Sequence, residues 1–589
     1  MATSLQLVAD QDQAVADTNI GDVAPSPLFN LDTLNEELIS GKVAPADFAK
    51  SFSDPTFVEA ASLAYPPAEI IATTNDSAAE FVVKLAPDVA NDPVAYEAFL
   101  SAYNQTSSND VLLSSSENDS NLVAAAPIRT KLVHIIIGTA ANDILIGKAT
   151  HDYIFGLDGK DLLFGQGGND FLFGGNDDDI LLGGIGNDNL FGENGNDILF
   201  NDAGSDVLVG GAGNDYFYVL DASGSSLLNG ETGIDTADYS ALSQAITLKT
   251  TGTVTKGIGF GTDQLVQVER IFATSSLNDW IDASDATSPT SVTVNLSTNS
   301  LIANNVPGLG TLSFTVSGFE NVRGTAQNDS ITGDNANNIL NGSAGNDVFG
   351  GSRGNDTING DAGVDTANYS ALGQTIVLGT TGTVAKAGGF GTDQLIGVET
   401  ITASTLLGDT INASTATGSA TITANLGTNS LSVNNVAIGG VNTNLNFTVN
   451  NFENVTGTAR NDVITGNAGN NTLIGGGGAD VLVGGAGNDR FTFLNPAEGV
   501  DIITDFASAP DTIAVSASGF GGGLTTGVLS GLQFFLGTSA TTAAHRFIYN
   551  TLTGGLFFDV DGTGATAQQQ IASLTFAPTL TSSDIEVIA

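Results

Sequence analysis

An aspartate returns every nine residues across one stretch of the chain, residues 138–218. An apolar residue stands two places after each aspartate and glycines fill most of the turns, so the unit reads G-G-x-G-N-D-x-L-x. A unit this short holds one inward apolar side chain, so it cannot fold alone and has to stack on its neighbours. The repeated aspartates are Asp143, Asp152, Asp161, Asp170, Asp179, Asp188, Asp197, Asp206 and Asp215.

Stacking of these units predicts a column of metal sites. Two units make one coil of eighteen residues, which brings each aspartate near the one eighteen residues later, at the ~4.8 Å spacing of paired strands. Paired carboxylates and turn carbonyls form an all-oxygen cage suited to a hard ion such as Ca²⁺, and without the ion the carboxylates repel each other. The glycines predicted to lend carbonyl oxygens are Gly159, Gly168, Gly186, Gly195, Gly204 and Gly213.

Two shorter ladders follow the same register. The second spans residues 324–365 and the third spans 457–493, and in each of them an asparagine, Asn338 or Asn471, replaces one aspartate. Because an asparagine brings no charge, we expect sites that use it to bind calcium more weakly. The metal ligands predicted in these ladders are Asp329, Asp347, Asp356, Asp365, Asp462, Asp480 and Asp489.

The segments between the ladders are two copies of one unit. The sequence that starts at Gly230 returns at Gly360, an offset of 130 residues, and its alternating Thr, Val and Ile residues predict strands. We therefore predict a mainly β fold, a right-handed parallel β-roll or β-helix with a small α-rich N-terminal domain and a C-terminal β cap. The predicted segments are the α-rich domain and linker at 1–127, calcium rolls at 138–218, 324–365 and 457–493, the duplicated β-rung unit at 230–323 and 366–456, and the cap at 494–589.

Charge and cysteine content exclude several classes of function. Sixteen Lys and Arg against 64 Asp and Glu leave a formal charge of -48, which argues against nucleic acid and anionic membranes as partners. The absence of cysteine rules out disulfides, thiol catalysis and zinc–thiolate sites. We expect no transmembrane segment, because no apolar run is long enough, and no cleavable signal peptide at residues 1–19.

The nonapeptide register resembles that of the repeats-in-toxin (RTX) proteins. The region after Asp489, which contains V-D-I-I-T-D-F and ends in S-S-D-I-E-V-I-A, is similar to the C-terminal region of the serralysin-type members. The resemblance implies a capped β-roll that binds several calcium ions, and an uncleaved C-terminal signal within 494–589 that is read by the type I secretion machinery. Extracellular calcium modules bind at about 10⁻⁴–10⁻³ M, so we expect folding to begin outside the cell.

The sequence offers no catalytic constellation, and we predict that the protein is not an enzyme. The chain has three histidines, His134, His151 and His545, and none stands in H-E-x-x-H, so the zinc protease centre of the serralysins is absent. Residues 350–354 satisfy G-x-S-x-G, but they lie in a predicted calcium turn without the strand-turn-helix frame of a nucleophile elbow. We assign no catalytic residue.

The first ladder differs from the second on its outer surface. Side chains on either side of each inward residue point outward, because side chains alternate along a strand. In the first ladder nearly all of these are apolar, as at Phe171 and Phe173, whereas the second has polar residues such as Ser330 and Thr332. Large apolar surfaces usually mark interfaces, so we predict that the N-terminal domain, the duplicated region or neighbouring molecules cover both faces. The alternative is that such residues simply suit strands.

The sequence favours a secreted calcium-binding structural protein of a bacterial cell-surface layer, sheath or extracellular matrix. By analogy it resembles surface-layer and oscillin-like RTX proteins of cyanobacteria. The predicted partners are further copies of the chain, cell-surface polysaccharide and the type I secretion machinery. Two alternatives stay open. The duplicated unit could make the protein a carbohydrate-binding adhesin, or residues 1–127 could hold the active site of a secreted hydrolase.

Overall fold

The computed structural model describes residues 38, 39, 42, 44, 46, 49, 68–70 and 134–589. Unit 1 comprises residues 1–242 and 258–268, and unit 2 comprises residues 243–257 and 269–589. Most of the α-rich domain predicted at 1–127 lies outside the described residues, but Leu38, Ile39, Ala46 and Ala49 are helical. The division into seven sequence segments stays a prediction.

Unit 1 is built from short strands separated by turns. Strands are numbered along the whole chain, and those of unit 1 are β1 (Ala68–Ile70), β2 (His134–Ile137), β3 (Ile144–Ile146), β4 (Asp152–Asp158), β5 (Leu162–Phe164), β6 (Phe171–Asn176), β7 (Ile180–Leu182), β8 (Asn189–Asn194), β9 (Ile198–Asn201), β10 (Val207–Ala212), β11 (Tyr216–Val219), β12 (Leu227–Thr232), β13 (Thr236–Asp238) and β16 (Thr262–Val266).

These strands form two parallel stacks. One contains β2, β4, β6, β8, β10, β12 and β16. The other contains β3, β5, β7, β9, β11 and β13. In the ladder the register advances by eighteen residues, as in the pairs Tyr153–Phe171 and Leu163–Leu181, so the predicted coil is confirmed. β1 runs antiparallel to β2 at the start of the first stack.

The apolar residue two places after each aspartate forms the core of the roll. Side chains of this row are 0% exposed at Ile154, Leu163, Leu172, Leu181, Leu190, Leu199, Leu208 and Phe217. Burial of one such side chain contributes roughly 1.5–3 kcal/mol. The predicted inward row is therefore the main apolar core of the first ladder.

Unit 2 contains both shorter ladders, most of the duplicated unit and the cap. Its strands are β14 (Thr247–Lys249), β15 (Thr253–Thr255), β17 (Arg270–Phe272), β18 (Trp280–Asp282), β19 (Ser291–Asn295), β20 (Ser300–Val306), β21 (Gly310–Ser317), β22 (Asn321–Arg323), β23 (Ser330–Thr332), β24 (Ile339–Asn341), β25 (Val348–Gly350), β26 (Thr357–Asn359), β27 (Thr366–Asn368), β28 (Ile376–Gly379), β29 (Thr383–Lys386), β30 (Gly391–Ile396), β31 (Thr400–Thr402), β32 (Thr410–Asn412), β33 (Thr421–Asn425), β34 (Ser430–Ile438), β35 (Val441–Asn450), β36 (Asn454–Thr456), β37 (Val463–Thr465), β38 (Thr472–Ile474), β39 (Val481–Val483), β40 (Arg490–Phe493), β41 (Asp501–Ile503), β42 (Thr512–Ser516), β43 (Gly527–Val528), β44 (Phe534–Leu536), β45 (Phe547–Asn550), β46 (Gly555–Phe558), β47 (Gln569–Leu574) and β48 (Ile585–Ile588). Its helices are α1 (Ala517–Phe520) and two 3₁₀ turns, Leu296–Thr298 and Ser582–Asp584.

The duplicated unit keeps the parallel coil and adds antiparallel hairpins to it. In the second ladder β22, β24, β26 and β30 pair in parallel, as do β23, β25, β27 and β31. Antiparallel strands β28 and β29 precede β30, and the triplets β19–β20–β21 and β33–β34–β35 form a further antiparallel insert in each copy. The coil therefore continues through both copies in unit 2, and the hairpins are extra strands attached to it.

The C-terminal segment of unit 2 continues the parallel pairing of that unit and adds an antiparallel sheet. β47 pairs in parallel with β41, and β48 pairs in parallel with β42. β45, β46 and β47 form an antiparallel sheet that brings Phe547 to 5.3 Å from Phe558, measured between ring centroids. Phe520 of α1 packs edge-on against Phe558 at 4.9 Å. A mainly β fold of parallel stacks is confirmed. No helix among the described residues is long and apolar enough to cross a membrane.

One outer face of the first ladder is covered by the chain itself. Leu38, which is 1% exposed, packs with the outward side chains of β3, β5, β7, β9 and β11, and Ala49 packs beside them. The hydroxyl group of Tyr218 donates a hydrogen bond to the carbonyl oxygen of Leu38 at 3.1 Å. On this face the predicted cover therefore comes from the N-terminal segment.

The other outer face carries rows of stacked aromatic rings. Tyr153 stacks on Phe171 at 5.0 Å and Phe173 stacks on Phe191 at 5.0 Å, measured between ring centroids. Tyr153 is buried, but Phe171, Phe173 and Phe191 are only half-buried. Such stacking of aromatic rings stabilises the fold beyond the effect of the buried area alone. Part of this face nevertheless stays accessible to solvent.

Candidate metal centre

Aspartates eighteen residues apart are in direct contact throughout the first ladder. In each pair the backbone N–H of the first aspartate donates to Oδ1 of the second, at 2.7 to 2.9 Å. The pairs are Asp143/Asp161, Asp152/Asp170, Asp161/Asp179, Asp170/Asp188, Asp179/Asp197, Asp188/Asp206 and Asp197/Asp215. The structure therefore brings together all nine sequence-predicted aspartates of this ladder, in two columns.

The second carboxylate oxygen of most of these aspartates is buried without a hydrogen-bond partner. A buried polar atom left unsatisfied costs about 1–3 kcal/mol, and more if it is charged. A row of such atoms is therefore a strong indication that a cation belongs beside them. Within the described part of the chain this holds for Oδ2 of Asp161, Asp170, Asp179, Asp188, Asp197, Asp215, Asp347, Asp365, Asp480 and Asp489.

Turn glycines lie next to these Oδ2 atoms. A Cβ atom added to Gly165 would lie against Oδ2 of Asp170 and 2.6 Å from the carbonyl oxygen of Gly183. At Gly192 it would likewise meet Oδ2 of Asp197 and lie 2.6 Å from the carbonyl oxygen of the next coil's glycine. Carboxylate and carbonyl oxygens thus border the same small space, which any side chain would fill. Oxygen donors of this kind are those that calcium prefers.

The glycines named from the sequence occupy a different place in the turn. Gly159, for example, has a φ of 104° and Gly186 has a φ of 156°. A Cβ atom on either would collide with the backbone of the neighbouring coil. The same geometry holds at Gly168, Gly195, Gly204 and Gly213. The carbonyls named above beside Oδ2 belong to further glycines, five residues before each aspartate, such as Gly174 and Gly183, and the ligand role of the glycines named from the sequence stays a prediction.

Burial changes the acid–base behaviour of the metal-free column. Burial, opposed by the backbone hydrogen bond and assisted by neighbouring carboxylates, raises the pKa of Asp161 and of Asp170 to about 8. Burial together with the charge of Asp197 raises the pKa of Asp179 to about 10. In the second ladder burial raises the pKa of Asp347 to about 7. Without a cation these carboxylates therefore compete for protons near neutral pH.

In every ladder a threonine hydroxyl donates a hydrogen bond to the first aspartate. Oδ2 of Asp143 accepts from the backbone N–H of Thr139 at 2.6 Å and from its hydroxyl at 2.9 Å. Thr325 does the same for Asp329, and Thr458 for Asp462. At the first aspartate of each ladder a threonine four residues earlier thus satisfies the oxygen that has no partner at Asp161 or Asp347.

The second aspartate of the first ladder, Asp152, is in contact with a histidine. Oδ1 of Asp152 lies 2.7 Å from Nδ1 of His134, and its Oδ2 accepts from the backbone N–H of Lys148 at 2.6 Å. His151, in the turn that lacks the usual glycines, accepts from the backbone N–H of Asn169 through Nδ1 at 2.6 Å. Both oxygens of Asp152 are therefore already engaged, whereas Oδ2 of Asp161 and of Asp170 has no partner.

The asparagines of the shorter ladders also complete their hydrogen bonds within the protein. The side-chain amide of Asn338 donates to the carbonyl oxygen of Glu320 at 2.7 Å, and its Oδ1 accepts from the backbone N–H of Asp334 at 2.9 Å. Asn471 makes the matching bonds to Glu453 and Asn467. Each asparagine therefore uses both ends of its amide group without a metal ion.

The pairs predicted in the shorter ladders are also in contact. The backbone N–H of Asp329 donates to Oδ1 of Asp347 at 2.8 Å, and Asp347 donates to Asp365 at the same distance. In the third ladder Asp462 donates to Asp480 at 2.7 Å. These three pairs repeat the contact seen in the first ladder.

The aspartate contacts continue where the nine-residue register stops. Asp215 donates to Asp235, Asp356 to Asp393, Asp480 to Asp501 and Asp489 to Asp511, in each case from the backbone N–H to Oδ1 at 2.8 to 3.1 Å. Sequence reasoning missed these acceptors because insertions change the spacing. One signal does survive, since an apolar residue still follows each acceptor two places later, at Ala237, Leu395, Ile503 and Ile513.

The G-x-S-x-G sequence lies in a turn of the second ladder. Gly350 ends β25, and the hydroxyl of Ser352 donates to Oδ2 of Asp356 at 2.9 Å. No helix follows Ser352 before β26. Ser352 therefore supports a ladder carboxylate in this structure.

The arrangement fits a hard cation held largely by oxygen atoms. Among the described residues no group of three or more His, Cys, Asp and Glu side chains surrounds one point. Two carboxylates from neighbouring coils and backbone carbonyls from the glycine turns are the donors that each step offers. That donor set suits calcium and does not favour a transition metal.

Comparison with known proteins points the same way. The model of the RTX calcium-binding nonapeptide repeat matches residues 137–172, 173–208, 202–221, 314–349, 348–370 and 456–491. No curated protein matches the chain. A solved structure, the extracellular lipase LipA from Serratia marcescens, is similar over 55% of this chain and 45% of its own, at 16% identity and a TM-score of 0.16. This chain thus spans less than half of that structure, and the likeness is too weak to carry an activity over.

Proposed function

Because the chain carries RTX calcium-binding nonapeptide repeats, we propose that it is a secreted calcium-binding structural protein. Calcium is its structural ion and its folding trigger, and the protein performs no catalysis. The observation that carries the proposal is the row of buried Oδ2 atoms without a hydrogen-bond partner at Asp161, Asp170, Asp179, Asp188, Asp197 and Asp215. A cation supplies the positive charge that these oxygens need.

The proposed ligands act as a unit. Carboxylates from successive coils are held by backbone N–H groups, which orient Oδ1 and leave Oδ2 facing the glycine turn. Bound calcium would neutralise the stacked carboxylates and so link one coil to the next. Weak extracellular affinities, at about 10⁻⁴–10⁻³ M, keep the chain from folding before it leaves the cell. This behaviour suits export by a type I secretion machinery.

The biological setting we propose is a bacterial cell-surface layer, sheath or extracellular matrix built from copies of this chain. The half-buried rings of Phe171, Phe173 and Phe191 offer an apolar face for contact between copies. Accessible apolar patches of this kind commonly mark interfaces. Cell-surface polysaccharide is the proposed anchor.

Two measurements test the proposal separately. A calcium titration followed by circular dichroism should show a cooperative gain of β structure, reversed by EGTA. Electron microscopy of the calcium-loaded chain should then show ordered assemblies that disappear with EGTA. A chain that folds equally well without calcium at pH 9 contradicts the calcium function, whereas a chain that folds with calcium but stays strictly monomeric contradicts the assembly alone.

Paired substitutions locate the assembly surface. Phe171→Thr with Phe173→Thr should abolish assembly while calcium-dependent folding persists. The control is Ile339→Thr with Val348→Thr on the outer face of the second ladder, where these side chains are 43% and 40% exposed. Equal assembly of both double variants would place the contact elsewhere.

A further inference from the structure

The second ladder contains a step in which the chain supplies its own cation. After Asp356 the regular spacing ends, and 37 residues pass before the next aspartate of that column, Asp393. The coil contact is nevertheless retained. The backbone N–H of Asp356 donates to Oδ1 of Asp393 at 3.0 Å, and β26 pairs in parallel with β30.

The inserted hairpin delivers a lysine to this step. Lys386 is the last residue of β29, and its side chain is 0% exposed. Its Nζ donates to the carbonyl oxygen of Ser352 at 2.8 Å and to Oδ2 of Asp356 at 3.3 Å, and it forms a short ion pair with Oδ1 of Asp393. Two carboxylates of successive coils and one turn carbonyl therefore converge on the ammonium group.

Every carboxylate oxygen at this step has a partner. Oδ1 of Asp356 accepts from the backbone N–H of Asn338 at 3.0 Å, and its Oδ2 accepts from the Ser352 hydroxyl at 2.9 Å. Oδ2 of Asp393 accepts from the hydroxyl of Tyr369 at 2.9 Å. At the neighbouring regular step the buried Oδ2 of Asp347 has no such partner.

We propose that the ammonium group of Lys386 takes the place of a calcium ion between Asp356 and Asp393. Two carboxylates and a turn carbonyl are the kind of donors that the regular steps offer to a metal, but here the ammonium group of a side chain binds them. Buried carboxylates require a compensating charge, and Lys386 provides it whether or not calcium is present. This inference rests on the proposed calcium function, and it makes one step of the second ladder independent of calcium.

The first copy of the duplicated unit carries the same three residue types at the same offset. Lys256, Tyr239 and Asp263 stand 130 residues before Lys386, Tyr369 and Asp393. The side chains of Lys256 and Tyr239 are 0% exposed. In that copy Ser226 takes the position of Asp356, and its backbone N–H donates to Oδ1 of Asp263 at 3.0 Å.

Removal of the ammonium group should create a calcium site. We expect Lys386→Met to bind one more calcium ion per chain than the wild type, measured by equilibrium dialysis against Ca²⁺ and atomic emission. The matched control is Lys249→Met, which breaks an ion pair with Asp282 at 2.5 Å and should leave the calcium count unchanged. A folded Lys386→Met variant with the wild-type calcium count overturns the proposal.

If Lys386→Met does not fold, a second variant and a measurement on the wild-type protein still test the proposal. Lys386→Ala leaves more room for a hydrated ion, and if neither variant folds in excess calcium the proposal is wrong. In wild-type protein, a shift to EGTA should increase hydrogen exchange at the Asp347 amide at least tenfold more than at the Asp356 amide. Equal increases contradict the proposal. A wild type that binds no calcium instead contradicts the proposed function.

Discussion

The first and second ladders share one column geometry but differ in what surrounds it. In both, the backbone N–H of one aspartate holds the carboxylate of the next coil, and both have buried Oδ2 atoms without a partner. Outward residues of the first ladder, such as Leu182 and Phe200, are 1% exposed, whereas Ile339 and Val348 of the second are 43% and 40% exposed. An apolar exterior is therefore not needed to form the coil.

The difference separates two sources of stability. Under the proposed function the second ladder depends on its inward row and on bound calcium, while the first gains further apolar contacts with Leu38 and Ala49. The first ladder also has the longer run of buried carboxylates, with a pKa of about 10 at Asp179. Calcium removal should therefore lower the stability of the first ladder more than that of the second. Substitutions on the outer face should also destabilise the first ladder more.

The largest expected effect is that of calcium removal, and it should depend on pH. Because burial raises the pKa of Asp161 and Asp197 to about 8 in the metal-free fold, protonation stabilises that fold. This contribution is fully present below the unfolded-state pKa, about 3.9, and is lost as the pH rises through about 8. After calcium has been removed with EGTA at alkaline pH and the chelate dialysed away, we expect a folded chain at pH 5 and loss of the first ladder at pH 9, measured by circular dichroism and hydrogen exchange.

Calcium should abolish that pH dependence. With saturating calcium the carboxylates are neutralised by the ion, so unfolding at pH 5 and at pH 9 should require similar urea concentrations. Calcium binding at pH 7 should also release protons, which calorimetry in two buffers of different ionisation enthalpy detects. Equal stability of the calcium-free chain at both pH values would contradict the role of the buried carboxylates.

The next largest effect concerns the exterior. Leu182→Ala in the first ladder should cost about 2–5 kcal/mol, because it removes a buried side chain. Val348→Ala, at the exposed outer face of the second ladder, should change stability by about 0.5 kcal/mol or less. Urea unfolding in saturating calcium, followed by hydrogen exchange in each ladder, measures both. Similar costs would mean that the outer face of the first ladder contributes little.

A smaller effect separates aspartates within and at the start of a ladder. Asp179→Asn removes the charge of a carboxylate whose Oδ2 has no partner and should raise the calcium midpoint about tenfold, which corresponds to about 1.4 kcal/mol. Asp143→Asn should change it much less, because Thr139 already holds Oδ2 of Asp143. Titration followed by circular dichroism compares the two. A reversed order would show that the threonine does not replace the ion.

The smallest effect is expected from the threonine itself. Thr325→Val keeps the backbone donor to Asp329 but removes the hydroxyl bond of 3.0 to 3.1 Å, at a cost of about 1 kcal/mol. Thr332→Val, on the outward side of β23, serves as control and should be nearly neutral. Thermal unfolding in saturating calcium is sensitive enough to tell them apart, and equal melting temperatures would contradict the expectation.

The nine-residue register predicted the parts of this molecule that repeat. Spacing alone placed Asp161 beside Asp179 and Leu163 inside the roll, because each coil is a copy of the one before. It could not place Asp393 or Asp501, because an insertion changes the count while the coil stays the same. No sequence pattern indicated that Lys386 contacts Asp356, since only the fold of the hairpin brings the two side chains together.

Threonines such as Thr139 gave a signal that went unused. Each ladder opens with Gly-Thr-Ala four or five residues before its first aspartate, at 138–140, 324–326 and 457–459. That short sequence marks where the column starts. The α-rich domain predicted at 1–127 depends on residues of which the structure describes only a few.

The contact from Asp356 to Asp393 has a consequence for how such a chain can change. The same N–H to carboxylate bond spans eighteen residues at Asp347 and 37 at Asp356. The coil thus tolerates an inserted hairpin between two strands, because the strands on either side of the insertion keep the same contact. New surface loops can therefore be acquired, or grafted by design, at the turn after an aspartate-bearing strand while the coil itself is inherited unchanged.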